Sequence, residues 1–153
     1  MIYTELTTLA MKIAYEAHHG QVDKQGVPYI FHPIHLAEQM DTEDSCVVAL
    51  LHDVVEDTDV TFEDLAEYGF TDIQIEAIRL MTHETDPSLT TDEERERDYL
   101  EYVKKIRDNP LAKKVKLADL EHNSDVSRLS LISPKEIMRN KKYEKAKMIL
   151  LED

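Results

Sequence analysis

The sequence predicts an all-α fold, and three observations carry that reading. Apolar residues recur at helical spacing along most of the chain, side-chain capping patterns open one segment after another, and no run alternates as a β-strand would. With three glycines and five prolines in 153 residues there is little room for long loops or low-complexity sequence. A chain of this length can bury roughly two-thirds of its unfolded surface in one core. Residues 1–153 are therefore expected to form one compact multi-helix bundle.

Along 2–18, Ile2, Leu6, Leu9, Ile13 and Ala17 fall on one helical face and Glu5, Thr8, Lys12 and Glu16 on the other. The stretch 18–28 carries two of the three glycines and Pro28, so it reads as a loop. His32-Pro33 looks like a helix entry, because proline is best tolerated at the first helical position. Thr42 can cap a helix over 43–57, apolar on most sides, as a central buried helix should be. Thr61 opens a short helix to Tyr68. Thr71, Thr91 and Ser133 each have Glu or Gln three residues on, the capping-box spacing, and predict helices over 72–83, 92–108 and 134–151. Asn109-Pro110 ends one helix and starts another that runs to Asn123. Residues 126–132 have no period and read as a connection.

Composition narrows the functional classes. Lys and Arg total 18 against 32 Asp and Glu, a net charge of −14, and no basic run exceeds Lys113-Lys114 or Lys141-Lys142. A general grip on nucleic acid or on an anionic membrane surface is disfavoured. Cys46 is the one cysteine, which rules out an internal disulfide and a cysteine-type zinc knuckle and reads as a buried core thiol. The longest apolar run, Cys46 to Leu51, is far too short to span a bilayer, and no signal pattern opens the chain. A cytoplasmic location is the expectation.

The chemistry gathers at the end of the central helix. His52, Asp53, Glu56 and Asp57 would share one broad face there, and three carboxylates at a helix C-terminus repel one another and oppose the macrodipole. A divalent cation would relieve both costs; a frayed, solvated helix end is the alternative. Elsewhere, His32 precedes Pro33, and Asp119 sits among Val115, Leu117, Ala118 and Leu120, where an acid needs a partner. Two imidazoles and two carboxylates without a thiolate suit Mn²⁺, Fe²⁺ or Zn²⁺ with positions left for water.

The ordered set His32-Pro33, His52-Asp53, Glu56-Asp57-Thr58, Lys116-Leu-Ala-Asp119 and His122-Asn123 resembles the HD phosphohydrolase superfamily. Within it the chain is similar to the hydrolase domain of the RelA/SpoT homologues and, in size, to the stand-alone small alarmone hydrolases. The likeness runs from Ala17-His-His-Gly-Gln through Gly26-Val-Pro-Tyr-Ile-Phe-His-Pro to the last helix. It implies a helical bundle with a metal site between helices, and His32, His52, Asp53 and Asp119 as ligands to one ion, usually Mn²⁺. It also implies that Glu56 and Asp57 position or deprotonate the attacking water. Lys24, Asn123, Arg139 and Tyr143 match substrate contacts. The implied reaction removes the 3′-diphosphate of guanosine tetra- or pentaphosphate, a small-molecule nucleotide, as pyrophosphate.

Asp23, Leu120 and Asp125 stand where the family commonly has arginines, which favours an alternative: an HD phosphatase for another nucleotide, such as NADPH or a nucleoside phosphate. A non-catalytic module would have lost ligands or the Glu-Asp pair, and neither is lost. His18, His19, His35 and His83 read as surface or structural, and His122 as hydrogen-bonded support. Tyr99, Tyr102 and Met81 read as core. Lys116 has two readings, a partner for Asp119 or a cation paired with a nearby acid such as Glu121.

Overall fold

The computed structural model describes residues 1–129 and 131–152. Ser130, inside the connection 126–132, and Asp153, at the end of the expected domain, lie outside the described residues. Helices start where the sequence supplies caps. Thr4, Thr42, Thr61 and Thr71 each accept a hydrogen bond from the N–H three residues on, and that residue's side chain reaches back, which satisfies two otherwise unpaired donors per helix. They open α1 (Glu5–Ala17), α3 (Glu43–Leu51), α5 (Phe62–Glu67) and α6 (Asp72–Met81). Thr91 caps α7 (Asp92–Arg107), but Glu94 reaches back one residue further, to Thr90 N–H. Asn109, followed by Pro110, caps α8 (Pro110–Asn123), and Glu136 accepts from Ser133 N–H at the start of α9 (Pro134–Leu151).

Two elements depart from the sequence reading. In α2 (Phe31–Glu38) Pro33 is the third helical residue, not the first, a place where its missing N–H is still no loss. The expected helix 43–57 ends at Leu51 and resumes as α4 (Val54–Asp57), with Asp53 at φ −107°, ψ 0° between them. The His52 side chain explains the break locally: Nδ1–H donates to Ala49 O at 2.7 Å, the carbonyl that a continuing helix would give to Asp53 N–H. The connection after α8 holds one 3₁₀ turn, Val126–Arg128, and the loop before α2 holds an isolated bridge between Val22 and Pro28.

The core sits around α3. Every residue from Cys46 to Leu51 is sealed from solvent, and α1, α2, α6 and α8 pack around it, while α7 and α9 pair and close over α8. Truncating Leu50 or Leu51 to alanine there would cost about 2–5 kcal/mol in transfer and cavity energy. Cys46 is the buried core thiol the sequence suggests. Among the described residues no helix is long and apolar enough to cross a membrane. Because α2 and α8 both pack on α3, His32, His52 and Asp119 are brought to one level of the bundle.

Candidate active site

The break after Leu51 is what makes the site. In a continuous helix His52 and Asp53 would point about 100° apart; with the turn between α3 and α4, His52 Nε2 lies 3.0 Å from Asp53 Oδ2 and 3.5 Å from Asp119 Oδ1. Donor atoms of His32, His52 and Asp53 come within 4.8 Å of one another. Asp119 joins them through Oδ1, 2.9 Å from His32 Nε2. Asp53, Glu56 and Asp57 form a second such group, so Asp53 links the buried cluster to the acidic rim.

Each member is held from behind. His32 Nδ1 lies 2.7 Å from His122 Nδ1, and the two rings stack with centroids 5.0 Å apart. Burial and then the Arg128 guanidinium push His122 down to about 4, so it stays neutral beside His32. Asp119 is 5% exposed; its Oδ2 accepts from Lys116 Nζ at 3.0 Å and its Oδ1 from Asn123 Nδ2 at 3.1 Å. Lys116 therefore takes the first of its two readings, and Glu121 pairs with Lys147 instead. Burial alone would raise Asp119, but the Lys116 ammonium wins and holds it well below the usual carboxylate range. Asp53 behaves alike: burial pushes it up and His52 beside it holds it down at about 2. Tyr29 O–H donates to Asp53 Oδ2.

The donors fit a divalent cation. His52 is 2% exposed, and its Nε2 faces two carboxylates yet makes a well-aimed hydrogen bond to neither. Both Nδ1 atoms have partners of their own, His122 Nδ1 for His32 and Ala49 O for His52, so the Nε2 atoms are the ones turned toward the carboxylate oxygens. Imidazole nitrogens and carboxylate oxygens that meet at one buried spot are a donor set a cation can occupy in place of the imidazole protons, and this nitrogen–oxygen set without thiolate suits Mn²⁺, Fe²⁺ or Zn²⁺.

At the rim, Glu56 Oε1 accepts from His83 N–H at 2.5 Å. Partial burial lifts the Glu56 carboxyl, the His83 N–H opposes, and the charges of Asp53 and Asp57 add to the rise, to about 7, although much of the side chain is open to water. Asp57 is raised too, by burial and then by Asp53. Lys24, Asn123, Arg139 and Tyr143 all line one cavity of about 310 Å³. Asn123 also lines a larger one of about 660 Å³, shared with His32, His35, His122 and Phe31. Lys24 stands 3.6 Å from Glu136.

Several participants escaped the sequence reading. Arg128 lines both cavities, donating to His122 O at 2.7 Å and standing 3.7 Å from Asp23, and no spacing pattern marks it. Tyr29 sits in the quoted Pro-Tyr-Ile-Phe-His-Pro run, three residues before His32, which was the available signal. His18, read as surface or structural, is buried, with Nδ1 2.8 Å from Gln21 Oε1. Tyr99 and Tyr102 pack against the core as expected and also flank Lys116, whose Nζ lies 5.7 and 5.3 Å from their ring centroids.

No protein-family model matches the chain. It is 38% identical over 122 residues to a guanosine-3′,5′-bis(diphosphate) 3′-pyrophosphohydrolase of Danio rerio, covering 74% of this chain and 64% of the relative. It is also 38% identical over 124 residues to the protein of that name in Spiroplasma citri, covering 74% of this chain and 16% of the relative. A putative chloroplastic GTP diphosphokinase of Oryza sativa is 49% identical over 69 residues, 40% of this chain and 8% of that protein. The chain thus spans less than two-thirds of each of these curated relatives. A solved structure of a metazoan ortholog of SpoT, described as hydrolysing ppGpp and playing a role in starvation responses, superposes with a TM-score of 0.78 at 27% identity, covering 99% of this chain and 88% of that one. In sequence and in fold the chain is identified as an HD-superfamily domain that resembles the hydrolase domain of the RelA/SpoT homologues and the stand-alone small alarmone hydrolases.

Proposed function

We propose that residues 1–153 act as one cytoplasmic catalytic domain that hydrolyses guanosine 3′,5′-bis(diphosphate) and its pentaphosphate form, releasing the 3′-diphosphate as pyrophosphate. The observation that supports this most is the convergence of His32, His52, Asp53 and Asp119 on one buried spot, next to Glu56 and Asp57. Relatives named for this reaction cover three-quarters of the chain.

His32, His52, Asp53 and Asp119 are the residues that would hold the cation, with Mn²⁺ the first choice. When bound, it supplies Lewis acidity that makes water a better nucleophile and neutralises phosphoryl oxygens. Glu56 takes the proton of the attacking water, and a carboxyl lifted to about 7 is a base matched to neutral pH. Asp57 orients the same water. Lys24 and Arg139 hold the phosphates, while Tyr143 and Asn123 face the nucleoside from the walls of the smaller cavity. The water oxygen bonds to phosphorus, the bond from that phosphorus to O3′ breaks, and O3′ leaves with a proton. The products are pyrophosphate and guanosine diphosphate, or guanosine triphosphate where the substrate is the pentaphosphate.

The test is to load the purified protein with Mn²⁺, add guanosine tetraphosphate, and resolve the products by ion exchange and phosphorus NMR. Pyrophosphate with GDP, lost on chelation, is the expected result. Intact substrate with the metal confirmed bound would overturn the assignment and turn the search to NADPH and other phosphorylated nucleotides.

A further inference from the structure

His83 stands just past α6, at the start of the link to α7, and its main-chain N–H donates to Glu56 Oε1. Glu56 needs such a partner. It sits on the four-residue helix α4 at the rim, where the negative charges of Asp53 and Asp57 face it along with the positive charge of Lys116. A glutamate side chain in that setting has several rotamers open to it, and fixing one costs entropy that a hydrogen bond must offset.

The His83 ring is pinned on two sides. Its Nε2 lies 2.9 Å from Asp98 Oδ2, and its face stacks on Tyr102 with centroids 4.5 Å apart and planes 13° from parallel. Asp98 and Tyr102 are four residues apart on α7, so one helix face presents both to the same imidazole. Tyr102 is anchored in turn: its O–H donates to Met81 O at 2.7 Å, and its ring faces the Lys116 ammonium that also holds Asp119. The imidazole is thus a clamp between α7 and the first peptide of the link.

We propose that His83 is the positioning residue for Glu56: Asp98 and Tyr102 fix its ring, the ring fixes the peptide, and the peptide N–H aims the Glu56 carboxylate at the metal-side water. The proposal rests on the reading of Glu56 as the base, and the experiment separates the two.

In the full chain loaded with Mn²⁺ and assayed on guanosine tetraphosphate, His83→Ala lowers kcat about tenfold to a hundredfold, the scale of a mispositioned catalytic group, with KM and Mn²⁺ affinity unchanged. His83→Gln, whose amide nitrogen can donate to Asp98 from the place of the imidazole Nε2, recovers most of that loss. In parallel, NMR follows the amide proton of residue 83, expected to be downfield and slow to exchange in the wild type and in His83→Gln, and to lose both properties in His83→Ala and Glu56→Ala. An amide that keeps its shift and protection in His83→Ala, or equal kcat in the alanine and glutamine variants, overturns the proposal. If the wild type leaves guanosine tetraphosphate intact, the function assigned above fails, and the amide measurement alone decides the clamp: lost protection supports it and retained protection overturns it.

Discussion

On the floor of the cleft, Lys116 donates to Asp119 at 3.0 Å with both side chains nearly sealed from water, whereas on the rim Lys24 stands 3.6 Å from Glu136 with 46% of its side chain exposed. The first pair is backed by Asn123, His32 and two tyrosine rings. The second links a loop to the start of α9 and has water for company. Burial makes the first costly to break and fixes the charge state of the carboxylate that faces His32 and His52; exposure makes the second easy to exchange for another anion. The groups proposed to hold the metal are fixed by buried pairs on the floor, and the Lys24 contact proposed for recognition lies at the open edge of the cleft.

The comparison breaks most visibly if a floor residue can be neutralised without consequence. Asp53→Asn removes an anionic donor from the set that converges on His32 and His52, and Mn²⁺ affinity measured by calorimetry should fall by at least about a hundredfold, with turnover lost and far-UV circular dichroism unchanged. Turnover that survives this change would place the reaction elsewhere. Glu56→Gln stands next, because it keeps the shape and the His83 contact but not the base. Its turnover should fall by about 10²–10⁴ with Mn²⁺ binding retained. The wild-type rate should rise with pH up to about 7 and level off above, since Glu56 acts ionised and its carboxyl is lifted to about 7; in Glu56→Gln that acid limb disappears.

The floor was also the part the sequence made legible. Two histidines and two aspartates in order, with Asp119 an acid stranded among apolar residues, carry chemical signals that survive without coordinates. The capping residues carried the helices, because a cap is a local hydrogen bond between residues three apart. What stayed hidden depended on contacts between distant segments or on one dihedral. The break at Asp53 follows from His52 taking a carbonyl of its own helix, which an uninterrupted apolar run conceals. Arg128 and His83 enter the site only because a 3₁₀ turn and an interhelical link are folded back onto it, and neither lies in a pattern of spacing. The rim residues Lys24, Arg139 and Tyr143 came from resemblance, and the structure lines one cavity with them.

Lys116→Ala sharpens the contrast through stability. It leaves Asp119 buried without its cation, and removing one partner of such a pair costs about 3–5 kcal/mol, which a urea titration of the metal-free protein would read directly. The sign with pH follows from the direction of each shift. Asp119 is held below its ordinary 3.8, so its contribution is present above that value and lost as pH falls through the folded one. Lys116 is held above 10.5, so its contribution is whole below that value and lost as pH rises through the folded one. The stability gap between wild type and Lys116→Ala should therefore be widest between about pH 4 and about pH 10 and close toward the acid end.

The smallest effects belong to the two cations proposed for recognition. Lys24→Ala and Arg139→Ala should each leave the urea midpoint where it was and raise KM by about tenfold, the scale of one charged contact, with kcat little changed. The Lys24–Glu136 pair is half exposed and both cations line an open cavity, so salt should act on them and not on the floor. Raising ionic strength toward 0.5 M shortens the reach of exposed charges to a few ångströms, and KM of the wild type should climb while kcat and Mn²⁺ affinity hold. In the two variants that climb should be shallower, because a cation that salt would screen is already gone. A kcat that drops as far as KM rises would mean that Lys24 and Arg139 tighten on the substrate only as the phosphorus–oxygen bond breaks, and the rim would then share in the chemistry assigned to the floor.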